Sequence, residues 1–238
     1  MIDFHYAPTP NGWKVGIMLE ECGLAYRTRL VRLAEGDQFR PEFLALSPNA
    51  KMPAILDDDP PAGFGEGPVS VFESGAILLY LAEKTGRFAP PPEDRRAWTE
   101  LHAWLFWQAA NQGPMGGQLS HFRNYAPEGE RDYGFRRYKG EYERNLQVLE
   151  TRLEGRDWVL GEYSVADMMI WPWAFIARPL GSGLEDFPNV AAWRARMKER
   201  PAVQAAVNLM KDAQNRGERN VENTPRLYNQ SAETLRRG

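Results

Sequence analysis

Ile2-Asp3-Phe4-His5-Tyr6-Ala7-Pro8-Thr9-Pro10-Asn11-Gly12 decides the fold. The short apolar run from Ile2 to Tyr6 reads as a strand, the two prolines break it, and an apolar-periodic helix runs from Gly12 to Glu21. Outward from this stretch the alternation continues. Tyr26 to Val31 reads as a strand, Phe39 to Leu46 as a short helix, Ala54 to Leu56 and Val69 to Phe72 as strands, and Ser74 to Glu83 as a helix. Residues 1–86 therefore form a small α/β domain.

The texture changes after Gly86. Residues 87–94, Arg87-Phe88-Ala89-Pro90-Pro91-Pro92-Glu93-Asp94, are a proline-rich linker, and beyond it the long segments are helical in period. Arg95 to Trp107, Tyr133 to Leu153, Val165 to Ile176 and Val190 to Glu199 read as helices, and a last helix follows Pro201, so residues 95–213 are expected to be an all-α domain. Ser164-Val165-Ala166-Asp167 is a capping-box pattern ahead of the apolar run from Met168 to Trp173, a folding signal rather than a chemical one. Residues 214–238 are polar, with little to bury, and read as a tail.

Composition narrows the function classes. The chain has 238 residues, enough for two modest cores, and a formal net charge of -3, which gives no global field for nucleic acid. Its apolar runs are too short to span a bilayer. One cysteine, Cys22, rules out an internal disulfide, three scattered histidines offer no metal-ligand constellation, and with no leader pattern at the start the expected compartment is the reducing cytoplasm. Eight Trp, nine Tyr and eleven Phe mark a folded chain with aromatics left over for a cleft or a subunit contact.

Three features of the first domain carry chemistry, each with a plainer alternative. Thr9 and Asn11 precede a helix whose N-terminal dipole favours an anion such as a thiolate, and each side chain can donate a hydrogen bond to a sulfur. Alternatively, Asn11 caps the helix and the prolines stiffen the turn. Met52 and Pro53 open the strand at Ala54, and a cis bond between them would turn the Met52 N–H and C=O outward to meet a peptide; an ordinary trans proline is the alternative. Glu73-Ser74-Gly75 lies between an apolar strand and an apolar helix. Glu73 can accept from an ammonium group while Ser74 and the helix end hold a carboxylate, which fits an α-amino acid head group; the alternative is an ordinary helix start.

Together, Pro8-Thr9-Pro10-Asn11-Gly12, Gln38-Phe39-Arg40-Pro41-Glu42-Phe43, Ser47-Pro48-Asn49 with Met52-Pro53-Ala54-Ile55, and Phe72-Glu73-Ser74-Gly75-Ala76-Ile77 resemble the glutathione transferase superfamily. The likeness is narrower still to its Nu class, bacterial glutathione-dependent disulfide-bond oxidoreductases related to fungal Ure2-type proteins. Trp104 to Gln108, Gly113-Pro114-Met115, His121-Phe122, and Tyr163 to Asp167 followed by Trp171-Pro172-Trp173 extend it to about residue 205. The resemblance implies an α/β thioredoxin-like N-terminal domain, an all-α C-terminal domain, a homodimer, glutathione as cosubstrate and no metal. It implies that Thr9 and Asn11 hold the glutathione sulfur, that Gln38 anchors the glycine end or its surroundings, and that Met52 backbone atoms pair with the cysteinyl unit beside a cis Pro53. Glu73 and Ser74 would hold the γ-glutamyl group, and Arg137 would help bind a second glutathione carboxylate.

The implied reaction is reduction of small or mixed disulfides by a borrowed thiolate, because where a redox protein of this fold presents a Cys-x-x-Cys pair this chain has a hydroxyl and an amide. Two departures bear on it. Trp13 stands where relatives often have histidine, and Leu119 and Ser120 replace polar groups expected to face a cleft. They favour as alternatives a transferase, peroxidase or ether-cleaving lyase acting on an apolar electrophile, and as a second class a non-catalytic glutathione-binding regulator.

Overall fold

The computed structural model describes residues 1–211, 230, 231, 234 and 235. Most of the tail assigned to 214–238 lies outside the described residues. The chain divides into two compact units, one made of Met1–Arg87 with the described residues from Ala202 onward, the other of Phe88–Pro201.

The first unit is built on a four-stranded sheet in the order β2-β1-β3-β4: β1 (Ile2–Tyr6), β2 (Tyr26–Leu30), β3 (Ala54–Asp57) and β4 (Val69–Phe72). β1 runs parallel to β2 and antiparallel to β3, with His5 opposite Ala54, and β3 runs antiparallel to β4. In β1 the even positions Ile2, Phe4 and Tyr6 are buried, the period expected of a strand with one face on the core. Helices α1 (Pro10–Cys22) and α3 (Ser74–Thr85) pack on one another, and α1 presents an unbroken buried run from Gly12 to Leu19. The helix expected over Phe39 to Leu46 is shorter: α2 spans Pro41–Leu44, because Gly36 at φ 83° and Pro41 at the first helical position divide that region into tight 3₁₀ turns and one helical turn.

The sequence pattern places the segment after Pro201 within 95–213. In the structure α10 (Pro201–Asn208) runs into the first unit instead. Its Ala206 lies over Gly16 of α1 so closely that a Cβ on Gly16 would stand 3.2 Å from the alanine methyl, and the Tyr6 hydroxyl donates to the Leu209 carbonyl at 3.3 Å. Two small residues let this helix approach; their spacing gives no periodicity to announce it.

The second unit is helical: α4 (Arg95–Trp107), α5 (Gly113–Asn124), α6 (Glu128–Leu153), α7 (Val165–Phe175), α8 (Ala177–Leu180) and α9 (Pro188–Glu199). A π-helical turn at Gln108–Gln112 joins α4 to α5. Gly116 of α5 meets Trp173 of α7 where a Cβ would come within 2.6 Å of the indole, so the glycines that weaken the helix signal there make room for a tryptophan. The capping box forms as expected. The Ser164 N–H donates to Asp167 Oδ2 at 3.0 Å, and the fully buried carboxylate also accepts from Val159 N at 3.0 Å and Trp193 Nε1 at 2.8 Å. Burial pushes the Asp167 carboxyl up to about 6 despite these donors.

Candidate functional site

Thr9, not Asn11, caps α1. It is extended (φ -130°, ψ 163°), its Oγ accepts from Gly12 N at 3.4 Å, and Pro10 takes the first helical position, where a missing N–H costs nothing. The helix thus begins two residues before the predicted start at Gly12, and Asn11 stands in its first turn, half-exposed. The turn is tight because Gly12 lies against the end of β1: a Cβ there would come within 2.4 Å of the Ala7 carbonyl oxygen. The Thr9 hydroxyl donates to the Met52 sulfur at 3.5 Å, so a donor at a helix N-terminus already faces a sulfur atom.

Met52 enters from the loop ahead of β3. The Ser47 hydroxyl donates to the Lys51 carbonyl at 2.7 Å, Ala50 takes a left-handed φ of 52°, and the Met52–Pro53 peptide is cis. Among the described residues neither Met52 N–H nor its C=O has a hydrogen-bond partner, so strand-like backbone is presented beside Thr9 just before pairing resumes at Ala54.

At the start of α3, Glu73 is exposed and its φ is 69°, a conformation rarely adopted by a residue with a Cβ. Its side chain makes no capping bond. Ser74 follows, 8% exposed, and accepts a hydrogen bond at 3.3 Å from Nζ of Lys14. Nothing in the sequence alone assigns Lys14 a role. It lies in the buried run of α1, 2% exposed; burial pushes its ammonium down to about 7, against the opposing pull of the Glu73 carboxylate. The available signal was a lone lysine among Gly12, Trp13, Val15, Ile17 and Met18. This contact ties the first turns of α1 and α3 together, so the sulfur-facing hydroxyl and the Glu73–Ser74 turn belong to one constellation with Met52.

The remaining expected residues separate. Gln38 is buried, and its amide donates to the Leu33 carbonyl at 3.3 Å, which fits a role in shaping the surroundings of a site. Arg137 stands on α6 in the second unit, exposed and paired with Glu141 at 2.8 Å. Trp13 is buried with its indole against the Tyr6 hydroxyl, and Leu119, expected to face a cleft, is fully buried. The Ser120 carbonyl accepts from the Asn124 amide at 2.9 Å. Cys22 closes the far end of α1, about 20 Å from its start at 1.5 Å per residue. Burial raises its thiol pKa, and the thiol faces Thr85 at 3.6 Å. The C-terminal pole of the helix also disfavours a thiolate there. Among the described residues no cluster of His, Cys, Asp and Glu could hold a metal, and no helix is long and apolar enough to cross a membrane.

Comparison with known proteins finds two matching family models: glutathione S-transferase, N-terminal domain, over residues 9–84, and glutathione S-transferase, C-terminal domain, over residues 132–196. The chain is 49% identical over 208 residues to the disulfide-bond oxidoreductase YfcG of Escherichia coli, covering 87% of this chain and 94% of that protein. A glutathione transferase of Burkholderia graminis, solved with two glutathione molecules bound per subunit, superposes with a TM-score of 0.82 at 44% identity, covering 88% of each chain. One from Pseudomonas putida, solved with one glutathione disulfide bound per subunit, gives a TM-score of 0.80 at 42% identity, covering 88% of this chain and 91% of that one.

Proposed function

Because the chain belongs to the glutathione S-transferase family, we propose that it is a glutathione-dependent disulfide-bond oxidoreductase whose working thiol is supplied by the cosubstrate. The observation that carries this reading is the helix start at Thr9: a hydroxyl donor and a positive dipole end, already turned toward a sulfur, in a chain whose single cysteine lies at the opposite helix end. Thr9 and Asn11 donate to the glutathione sulfur and lower its pKa. The cysteinyl unit pairs with the Met52 backbone beside Pro53, and the γ-glutamyl ammonium and carboxylate go to Glu73 and Ser74. Gln38 holds the surroundings of the glycine end. Arg137 takes a carboxylate of a second glutathione, in keeping with the two molecules bound per subunit in the Burkholderia relative.

The reaction balances without a protein thiol. The bound thiolate attacks one sulfur of a small or mixed disulfide, the old S–S bond breaks as the new one forms, and the departing thiolate takes up a proton. A second glutathione thiolate then attacks the mixed disulfide, releasing the other half of the substrate and leaving glutathione disulfide. The protein supplies position and electrostatic stabilisation. The assembly proposed is a homodimer acting on a small disulfide in the reducing cytoplasm.

Steady-state turnover with glutathione and a small disulfide, beside conjugation of an aryl halide, tests this. Disulfide reduction should dominate; dominant conjugation assigns the site to electrophilic carbon, and activity in neither assay overturns the disulfide reading in favour of a peroxidase, a lyase or a non-catalytic glutathione binder. Thr9→Ala and Asn11→Ala, made separately, should each lower kcat by about tenfold, with smaller changes in glutathione affinity.

A further inference from the structure

A peptide group has two hydrogen-bonding edges, and in the trans form its C=O and N–H point in opposite directions. The Lys51 carbonyl and the Met52 N–H belong to one such plane, and that peptide is trans. Its carbonyl is claimed from inside the unit: Ser47, fully buried, donates to it from Oγ at 2.7 Å. Ser47 is itself fixed at both of its backbone groups. Its N–H donates to the Phe43 carbonyl of α2 at 2.8 Å, and its carbonyl accepts from Ala50 N at 2.9 Å. Ala50, 1% exposed and at φ 52°, turns the chain back within this loop. With the carbonyl edge held on the serine, the opposite edge, the Met52 N–H, faces away from Ser47, and it meets no acceptor among the described residues. A hydrogen bond at the carbonyl also polarises the peptide and strengthens the donor at its other end.

We propose that Ser47 is a positioning residue for the cysteinyl unit of glutathione: its hydroxyl fixes the plane of the Lys51–Met52 peptide and so aims the Met52 N–H at the cysteinyl carbonyl. The proposal rests on the glutathione reading above and adds to it a buried side chain that never touches the ligand. A serine that only closed the loop would support every ligand of the site alike. One that aims a single N–H supports only a ligand with an acceptor to receive it.

The experiment uses two glutathione fragments, γ-glutamylcysteinamide and γ-glutamylcysteamine, which share the head group and the thiol and differ only in the carboxamide whose oxygen accepts from Met52. Calorimetry gives their Kd values on wild type and Ser47→Ala, and amide hydrogen exchange at saturating γ-glutamylcysteinamide reads the Met52 N–H itself. Wild type should bind the carboxamide fragment at least about threefold more tightly, the scale of one net hydrogen bond, and its Met52 amide should be protected. Ser47→Ala should raise the Kd of the carboxamide fragment by about three- to tenfold, move that of the cysteamine fragment by less than about twofold, and remove the protection. Equal loss for both fragments, or survival of either the preference or the protection, overturns the proposal and leaves the Met52 assignment standing. A wild type that fails to distinguish the fragments or to protect Met52 overturns that assignment and the proposal with it. Ser47→Cys, a weaker donor of similar size, is measured alongside and must show the same selective loss should the alanine variant not fold. Failure of both to fold makes Ser47 a residue of the core and overturns the proposal.

Discussion

Two helices of this protein begin at a serine, and they begin differently. At α7 the chain closes the end itself: the Asp167 carboxylate, fully buried, gathers the N–H groups of Ser164 and Val159 and the indole of Trp193. At α3 the residue in the capping place, Glu73, is exposed, sits in the left-handed region and makes no capping bond, while Lys14 Nζ donates to Ser74. One end has its anion built in. At the other the Lys14 ammonium is drawn to the Glu73 carboxylate and donates to the Ser74 hydroxyl. A satisfied buried polar cluster holds a fold together; under the proposed function the exposed end of α3 serves binding.

The sharpest way to break this distinction is Asp167→Ala. It strands the Trp193 indole and the backbone donors in the core and should cost about 3–5 kcal/mol of unfolding free energy, read as a lower urea midpoint at unchanged m-value. Glutathione affinity of the folded protein should not change; if it does, the sealed end is not purely structural. The next effect is a pH dependence. Native Asp167 keeps its proton up to about pH 6, whereas an unfolded aspartate loses it near 3.8, so the native state holds more protons in that window. Its contribution should therefore be fully present below the lower value and decline as pH rises through the upper one. Asp167→Asn should flatten that part of the stability curve, and an unchanged slope would contradict the raised pKa.

Ser74→Ala should do the reverse of Asp167→Ala. Glutathione binding should weaken by about ten- to a hundredfold, and thermal unfolding should show a stability change below about 1 kcal/mol. A large loss of stability with intact binding would make the two ends alike. Cys22→Ala should have the smallest effect, leaving disulfide turnover intact in the steady-state assay, because the thiol lies at the far pole of α1 with its pKa raised. A loss of turnover there would return the chemistry to the protein.

Much of this contrast is legible in the chain before any coordinates. Ser164-Val165-Ala166-Asp167 announces its own closure, since the acceptor lies three residues from the cap. The strand order of chemistry-bearing turns, Thr9, Met52, Glu73, also follows from local patterns, and the α/β unit followed by helices is the fold observed. What could not be read depends on residues distant in sequence. Lys14 acquires meaning only when α3 is laid across α1, 60 residues away. Leu119 reads in the sequence as a cleft position and is core in the structure, because which side of α5 faces inward is set by Trp173 fitting against Gly116. The helix after Pro201 belongs with the first unit because of Gly16, a residue that carries no signal by itself.

The Thr9 end of α1 has a consequence for the wear of the catalyst under the proposed function. Enzymes that expose their own low-pKa cysteine to oxidants risk carrying it irreversibly to the sulfinic and sulfonic acids. Here the atom at risk arrives and departs with each cosubstrate, so an over-oxidised sulfur is discarded by exchange, and the hydroxyl left behind has no oxidation ladder to climb.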